Sequence, residues 1–380
     1  MRPRPSRATH ALIALRSFTL LSAVLVAAGC TTQRYAPDHA THTPVPVSDD
    51  VTANAPAPSG GPSADDHMAH MSAADLAAPT IASGAVRGGF FQDAKLPASN
   101  AGAAERLKAS PRHSEWVKFP SAPGSTDSVM AFVVYPFSKT ASQKAPVVVV
   151  VHEVFGLSSW VRGVADQVAA DGFIAVAPDF LSRVRPGGPS SVELNSDTAR
   201  ALIQRVNYEE RVRIVSAAAN YGMMLPSATQ RYAVIGYCWG GTTSWAHAVN
   251  GGVKGFSGAV PFYGAPYTTG GRPATATEPA VPASVDADSL KKITKPVLML
   301  NGSGDARIGA MMPAIDSIMK ANKKNYEGHN YPGAIHGFLR AQGDPRATNR
   351  NEAEEAANIA ATKDGWPRTV TFLKKQLGVK

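Results

Sequence analysis

The chain has only two cysteines in 380 residues, Cys30 and Cys238, so one disulfide is the most it could form. It lacks H-E-x-x-H and C-x-x-C, and no catalytic metal is expected. No G-x-G-x-x-G follows a strand-like run, so neither a dinucleotide nor any other cofactor is implied. There is no basic run with interleaved aromatics, which argues against nucleic acid as a partner. Charged residues make up 18% and hydrophobic residues 44%, a globular balance. The formal net charge is +9; Arg2, Arg4, Arg7 and Arg16 supply four units of it, leaving +5 on the rest. That excess suits anionic substrates or surfaces. No internal repeat is evident, and one α/β domain with a tail fits the length, with a monomer favoured.

Residues 1–30 read as an export signal, with basic residues over 2–16 and an apolar run over 17–28 too short to span a bilayer comfortably. Ala27-Ala-Gly-Cys30 is similar to a bacterial lipobox, although Ala27 stands where Leu is usual. Lipidation of Cys30 would anchor the chain to a membrane; plain cleavage near Ala28 is the alternative. Thr31 after the cysteine, by resemblance to lipoprotein sorting, points to the periplasmic side of the outer membrane. Residues 31–110 are expected to form a disordered Ala/Pro/His-rich tether and a transitional segment, partly helical around 103–109. Within it, His67, Met68, His70 and Met71 are copper-compatible ligands, but they read more simply as ordinary tether residues. Residues 111–380 are left for the folded domain.

The domain centres on Arg231-Tyr-Ala-Val-Ile-Gly-Tyr-Cys-Trp-Gly-Gly-Thr242. Residues 232–235 read as a buried strand and 241–249 as a helix. The turn between them has the form of a G-x-S-x-G nucleophile elbow with Cys238 in the serine position. Glycines flank the nucleophile because a Cβ there would clash, and the helix N-terminus favours the thiolate. Free cysteines are also common as small buried hydrophobes, so the elbow needs company. Leu298-Met-Leu-Asn-Gly-Ser-Gly-Asp305 is an apolar strand ending in an acid, and Tyr331-Pro-Gly-Ala-Ile-His336-Gly-Phe338 is a turn presenting a histidine. Nucleophile, acid, histidine is the chain order of α/β-hydrolases. With Cys30 and Cys238 both claimed, no disulfide is expected.

Gly236-Tyr-Cys-Trp-Gly-Gly241, His152-Glu-Val-Phe-Gly156, Pro178-Asp-Phe-Leu-Ser-Arg183 and the His336 turn occur in one order. Together they resemble the dienelactone hydrolase family, over roughly residues 116–377. The resemblance implies an α/β-hydrolase fold and opening of a carboxylate-bearing lactone, or cleavage of a related ester, through a Cys238 acyl-enzyme. It also implies that Glu153 controls ionisation of the thiol, holding it down until substrate displaces the carboxylate. Arg183 and Arg340 match positions that grip the substrate carboxylate.

The residue types suit that chemistry. A thiolate attacks the carbonyl, His336 moves the proton, and Asp305 orients His336. The backbone N–H groups of Val154 and Trp239 are placed to form an oxyanion hole, each donor worth about 3 kcal/mol of barrier. His152 reads as structural, His247 as packed or solvated, and His329 as surface. Five valines over 147–151 indicate a central parallel strand buried on both faces. Residues 192–224 read as helical with a break near Asn207, 310–321 as a helix and 268–287 as a surface insertion. Two other functions stay open: a broader carboxylesterase on the same triad, and a non-catalytic exported lipoprotein binding copper through its tether.

Overall fold

A computed structural model of the chain describes residues 93–138, 143–271, 281–341 and 352–379. The export segment, Cys30 and the His/Met run lie outside the described residues.

The core is an eight-stranded sheet. In chain order the strands are β1 (Ser114–Pro120), β2 (Ser128–Val134), β3 (Ala145–Val151), β4 (Ile174–Asp179), β5 (Ala228–Tyr237), β6 (Phe256–Phe262), β9 (Val297–Gly302) and β10 (Tyr326–Tyr331). The lateral order is β1-β2-β4-β3-β5-β6-β9-β10. The two contacts of β2 are antiparallel and all the others parallel. A short antiparallel pair, β7 (Thr268–Thr269) with β8 (Ser284–Val285), lies apart from it. Val149 sits opposite Val176 on one side and Val234 on the other. Successive side chains of a strand face opposite ways. All five valines of β3 have 0% exposure, so both faces of the sheet are covered there.

The covering helices are α1 (Asn100–Lys108), α2 (Ser159–Ala170), α3 (Ser196–Ile203), α4 (Tyr208–Met224), α5 (Trp239–Val249), α6 (Ala287–Lys291), α7 (Ala306–Ala321), α8 (Phe338–Ala341) and α9 (Glu352–Leu377). The expected break near Asn207 is a cap: its side chain accepts from the Glu210 N–H and starts α4 anew. The expected insertion is pinned at both ends, by the β7–β8 pair and by Asp286, which caps α6.

Of the boundaries that differ from the sequence reading, two matter most. Helix α7 starts at Ala306 rather than 310, because Asp305 caps it. Gly309 and Pro313 had masked its first turns, since both residues are poor helix formers.

The second difference is larger. Residues 93–110, expected to be a transitional segment with a helix around 103–109, belong to the folded unit. Helix α1 docks on α2, with Ala103 and Leu96 buried. The Trp160 indole N–H donates to the Ala98 carbonyl at 3.1 Å. Arg106 donates to the carbonyls of Leu96 at 2.5 Å and Ala94 at 2.8 Å, and also to the Gln167 side chain. Small residues in this segment allow close packing, which outweighs its weak hydrophobicity.

Candidate active site

The elbow is strained as its sequence requires. Cys238 has φ 54° and ψ −115°, a backbone conformation that costs a non-glycine residue of order 1–3 kcal/mol. The turn is held by the Cys238 N–H donating to the Phe262 carbonyl at 3.1 Å and by Thr242 N–H donating to the Cys238 carbonyl at 3.1 Å. A Cβ on Gly236 would lie 2.0 Å from the Gly240 oxygen, and one on Gly240 would lie 2.3 Å from the Val151 oxygen. No side chain fits at either place, and the close approach brings the elbow against the end of β3.

His336 reaches the same point from the loop before α8. Its Nδ1 is 2.6 Å from Asp305 Oδ2. The other oxygen of Asp305 accepts from the Ile308 N–H at 3.0 Å, so one carboxylate both caps α7 and orients the imidazole. The acid turn and the histidine loop touch closely: Gly304 N–H donates to the Ala334 carbonyl at 2.8 Å, and a Cβ on Gly302 would lie 2.2 Å from that oxygen. Burial alone would lower the His336 pKa. When Cys238 is ionised, its charge, the Asp305 hydrogen bond and hydrogen bonding to Cys238 outweigh it, and the imidazole is pushed up to about 10. Burial likewise works against the Asp305 carboxylate, but its bond and charge interaction with His336 hold it below the ordinary value. Cys238, His336 and Asp305 are thus brought together.

Glu153 follows β3. Its peptide is fixed by His152, whose Nδ1 donates to the Glu153 carbonyl at 2.7 Å while Nε2 accepts from the Phe180 N–H at 3.1 Å. That pattern requires a neutral ring, and burial agrees, lowering the His152 pKa to about 4. His152 is therefore a clamp beside Val154. Trp239 stacks on His152 at 5.8 Å, and Arg211 lies over its indole at 4.3 Å. These contacts seat the two residues whose N–H groups were assigned to an oxyanion hole.

Glu153 Oε2 is 3.1 Å from Arg340 Nε, and the guanidinium lies 5.2 Å from the centre of the Phe155 ring. Cys238, Glu153, His336 and Arg340 are 1%, 2%, 4% and 6% exposed, so this is a closed arrangement. A cavity of about 180 Å³ reaches Glu153 and Arg340, whereas Cys238 and His336 are not among its described walls.

Arg183 is not brought to the cavity. It is held in an ion-pair cluster by Glu210 and by Asp127, the latter at 2.5 Å. The carboxylate grip expected of it gives way to these two acids. His247 is packed, with Nε2 2.8 Å from the Tyr232 hydroxyl, and His329 pairs near the surface with Glu327.

Two residues at the site escaped the sequence reading. Tyr263 has φ 37°, and its ring meets His336 edge-on at 5.0 Å. Its position just past β6, at the carboxyl end of a parallel strand, was the available signal. Arg211 lies within a helix, and nothing local marks it.

The chain is 25% identical over 263 residues to a provisionally named carboxymethylenebutenolidase of Escherichia coli (strain K12), covering 69% of this chain and 88% of that one. It is 27% identical over 231 residues to carboxymethylenebutenolidase 1 of Cupriavidus pinatubonensis, covering 60% and 90%. The crystal structure of a provisionally named dienelactone hydrolase from Klebsiella pneumoniae superposes with a TM-score of 0.52 at 23% identity, covering 69% of this chain and 99% of that one, which shows a shared fold. Residues 132–377 match the dienelactone hydrolase family, and the chain belongs to that family of hydrolases.

Proposed function

We propose that this hydrolase opens a carboxylate-bearing lactone, or cleaves a related ester, through a Cys238 thioester. The observation that carries the reading is the 2.6 Å bond from Asp305 to a His336 ring coupled to Cys238 on a strained elbow. The Cys238 sulfur attacks the carbonyl carbon, and the oxyanion is held by the Val154 and Trp239 N–H groups. The C–O bond then breaks, and His336 gives its proton to the departing oxygen. His336 next takes a proton from water, the resulting hydroxide attacks the thioester, and sulfur leaves as the thiolate, which recovers its proton from Glu153. One ester and one water become one carboxylic acid and one alcohol, which in a lactone stay joined.

Arg340 is the substrate's carboxylate anchor. At rest it is paired with Glu153. A substrate carboxylate that takes over the guanidinium releases Glu153, which then accepts the thiol proton. Closure of the site in the resting state supports this order of events, since a shielded thiol also resists oxidation. That protection suits the export and lipid anchoring at Cys30 proposed for this enzyme.

A broader carboxylesterase is the second reading, and it is favoured by the engagement of Arg183 with Asp127 and Glu210, which leaves one arginine for a carboxylate. Hydrolysis of a dienelactone and of a neutral aryl ester, by protein lacking residues 1–30 and before and after thiol alkylation, separates the readings. Alkylation-sensitive lactone opening supports the first. Activity on the neutral ester alone supports the second. Turnover insensitive to alkylation, or none, removes the acyl-enzyme and returns attention to His67, Met68, His70 and Met71.

A further inference from the structure

The cavity before Glu153 and Arg340 has an unusual wall. Asn100, Ser159 and Ser196, the first residues of α1, α2 and α3, all line it, and Ser158 stands beside them. Of these elements, α1 lies outside the matched family region of 132–377. The bonds from Arg106 and Trp160 hold the segment before and through α1 in place, so Asn100 is a fixed part of the wall.

The polar groups offer both donors and acceptors. Serine hydroxyls do both, and an asparagine carboxamide presents one oxygen and two N–H donors. Glu193 adds a carboxylate: its Oε2 accepts from the Ser159 N–H at 3.1 Å and from Arg162 at 2.7 Å, and both bonds fall on that one oxygen. The N-terminus of α2 and the Arg162 guanidinium are therefore already engaged by an anion, and neither is left for a second negative group in the cavity. An apolar group would leave these donors and acceptors without the water they otherwise bind.

We propose that the cavity takes a neutral, hydroxyl-bearing end of the substrate, and that Asn100 is a specificity-determining residue contributed by the segment ahead of the family's matched region. The inference rests on the reading of Arg340 as the carboxylate anchor, and it specifies what lies at the other end: a hydroxylated monocarboxylate, not a dicarboxylate and not an alkyl chain. A ligand hydroxyl can donate to Glu193 or a serine while accepting from the Asn100 carboxamide.

The test uses a pair of small monocarboxylates of equal length, one hydroxylated at its distal end and one not. Each is titrated calorimetrically into the protein lacking residues 1–30, so that binding is read without turnover. The unsubstituted protein is expected to bind the hydroxylated member about five- to tenfold more tightly, as for one or two neutral hydrogen bonds. Asn100→Leu should reduce that ratio severalfold while leaving affinity for the plain member within about twofold, and Asn100→Ser should fall between them. Ser196→Ala, on a different helix, should lower the ratio by itself and guards against a local effect of the Asn100 variants on α1. Equal binding of both ligands by the unsubstituted protein overturns the proposal, as does a ratio unmoved by Asn100→Leu and Ser196→Ala. A preserved preference without alkylation-sensitive turnover of either the lactone or the ester would remove the acyl-enzyme reading and leave this one standing.

Discussion

The two sides of Glu153 are built in different ways. On one side, Cys238, Asp305 and His336 stand at the ends of β5, β9 and a short loop, and glycines without room for a Cβ press those turns together. On the other, the cavity wall comes from the first residues of three helices and the guanidinium of Arg340. The first side leaves no freedom to vary. The second can change by one side chain at a time without touching the sheet. Chemistry on the rigid side and selectivity on the adjustable side, as proposed above, would let one scaffold serve many substrates.

The largest effect should come from the rigid side. Cys238→Ala is expected to lower kcat on any substrate the enzyme turns over by about 10⁴-fold or more, with the fold unchanged by circular dichroism. A Gly240→Ala change should be nearly as damaging for a different reason. Its methyl would lie 2.3 Å from the Val151 oxygen, so the strand end must move, and a stability loss above about 3 kcal/mol in urea unfolding is expected.

The two arginines sharpen the contrast. Arg340→Met should raise KM for an anionic lactone by about 10- to 100-fold and change a neutral ester by little more than twofold. Arg183→Met should leave that KM ratio alone, because its guanidinium is engaged by Asp127 and Glu210. Equal effects of the two substitutions on the lactone would show that Arg183 leaves its cluster when substrate binds.

A smaller effect concerns pH. Burial lowers the pKa of His152 to about 4 and of His247 to about 3, so the unfolded chain binds more protons than the folded one as pH drops below 6.5. Each should cost about 1.4 kcal/mol per pH unit down to its folded value. His336 runs the other way: its raised value contributes stability that is complete below 6.5 and lost as pH rises towards about 10. Asp179, 3.8 Å from His152 and pushed up to about 6 by burial, offsets one of the two histidines between about pH 6 and pH 4. Urea unfolding followed from pH 4 to pH 10 should therefore show a maximum near neutrality, with limbs of similar steepness. A flat profile below pH 6.5 would mean that the two buried histidines accept protons without opening the core.

Much of the rigid side was legible beforehand. The valine run, the elbow, Asp305 and the His336 turn are local patterns in which each residue's role follows from its immediate neighbours. Glu153 was legible for the same reason, since it follows the valine strand directly. Arg183 was misread because the acids that hold it lie 56 and 27 residues away, at Asp127 and Glu210. The helix within 93–110 was legible but its docking was not, because the surface that holds it, around Trp160, is formed by residues far along the chain.

From its sequence alone, then, this protein's sheet, its strained Cys238 turn and the chain order of Cys238, Asp305 and His336 were determined, because strand periodicity and the exclusion of a Cβ act over a few residues. Tertiary structure decided which charges meet. It paired Arg340 with Glu153, took Arg183 into a surface cluster, and carried Asn100 to the cavity wall. Ion pairs and cavity walls depend on distances between elements far apart in the chain, and packing alone sets those distances.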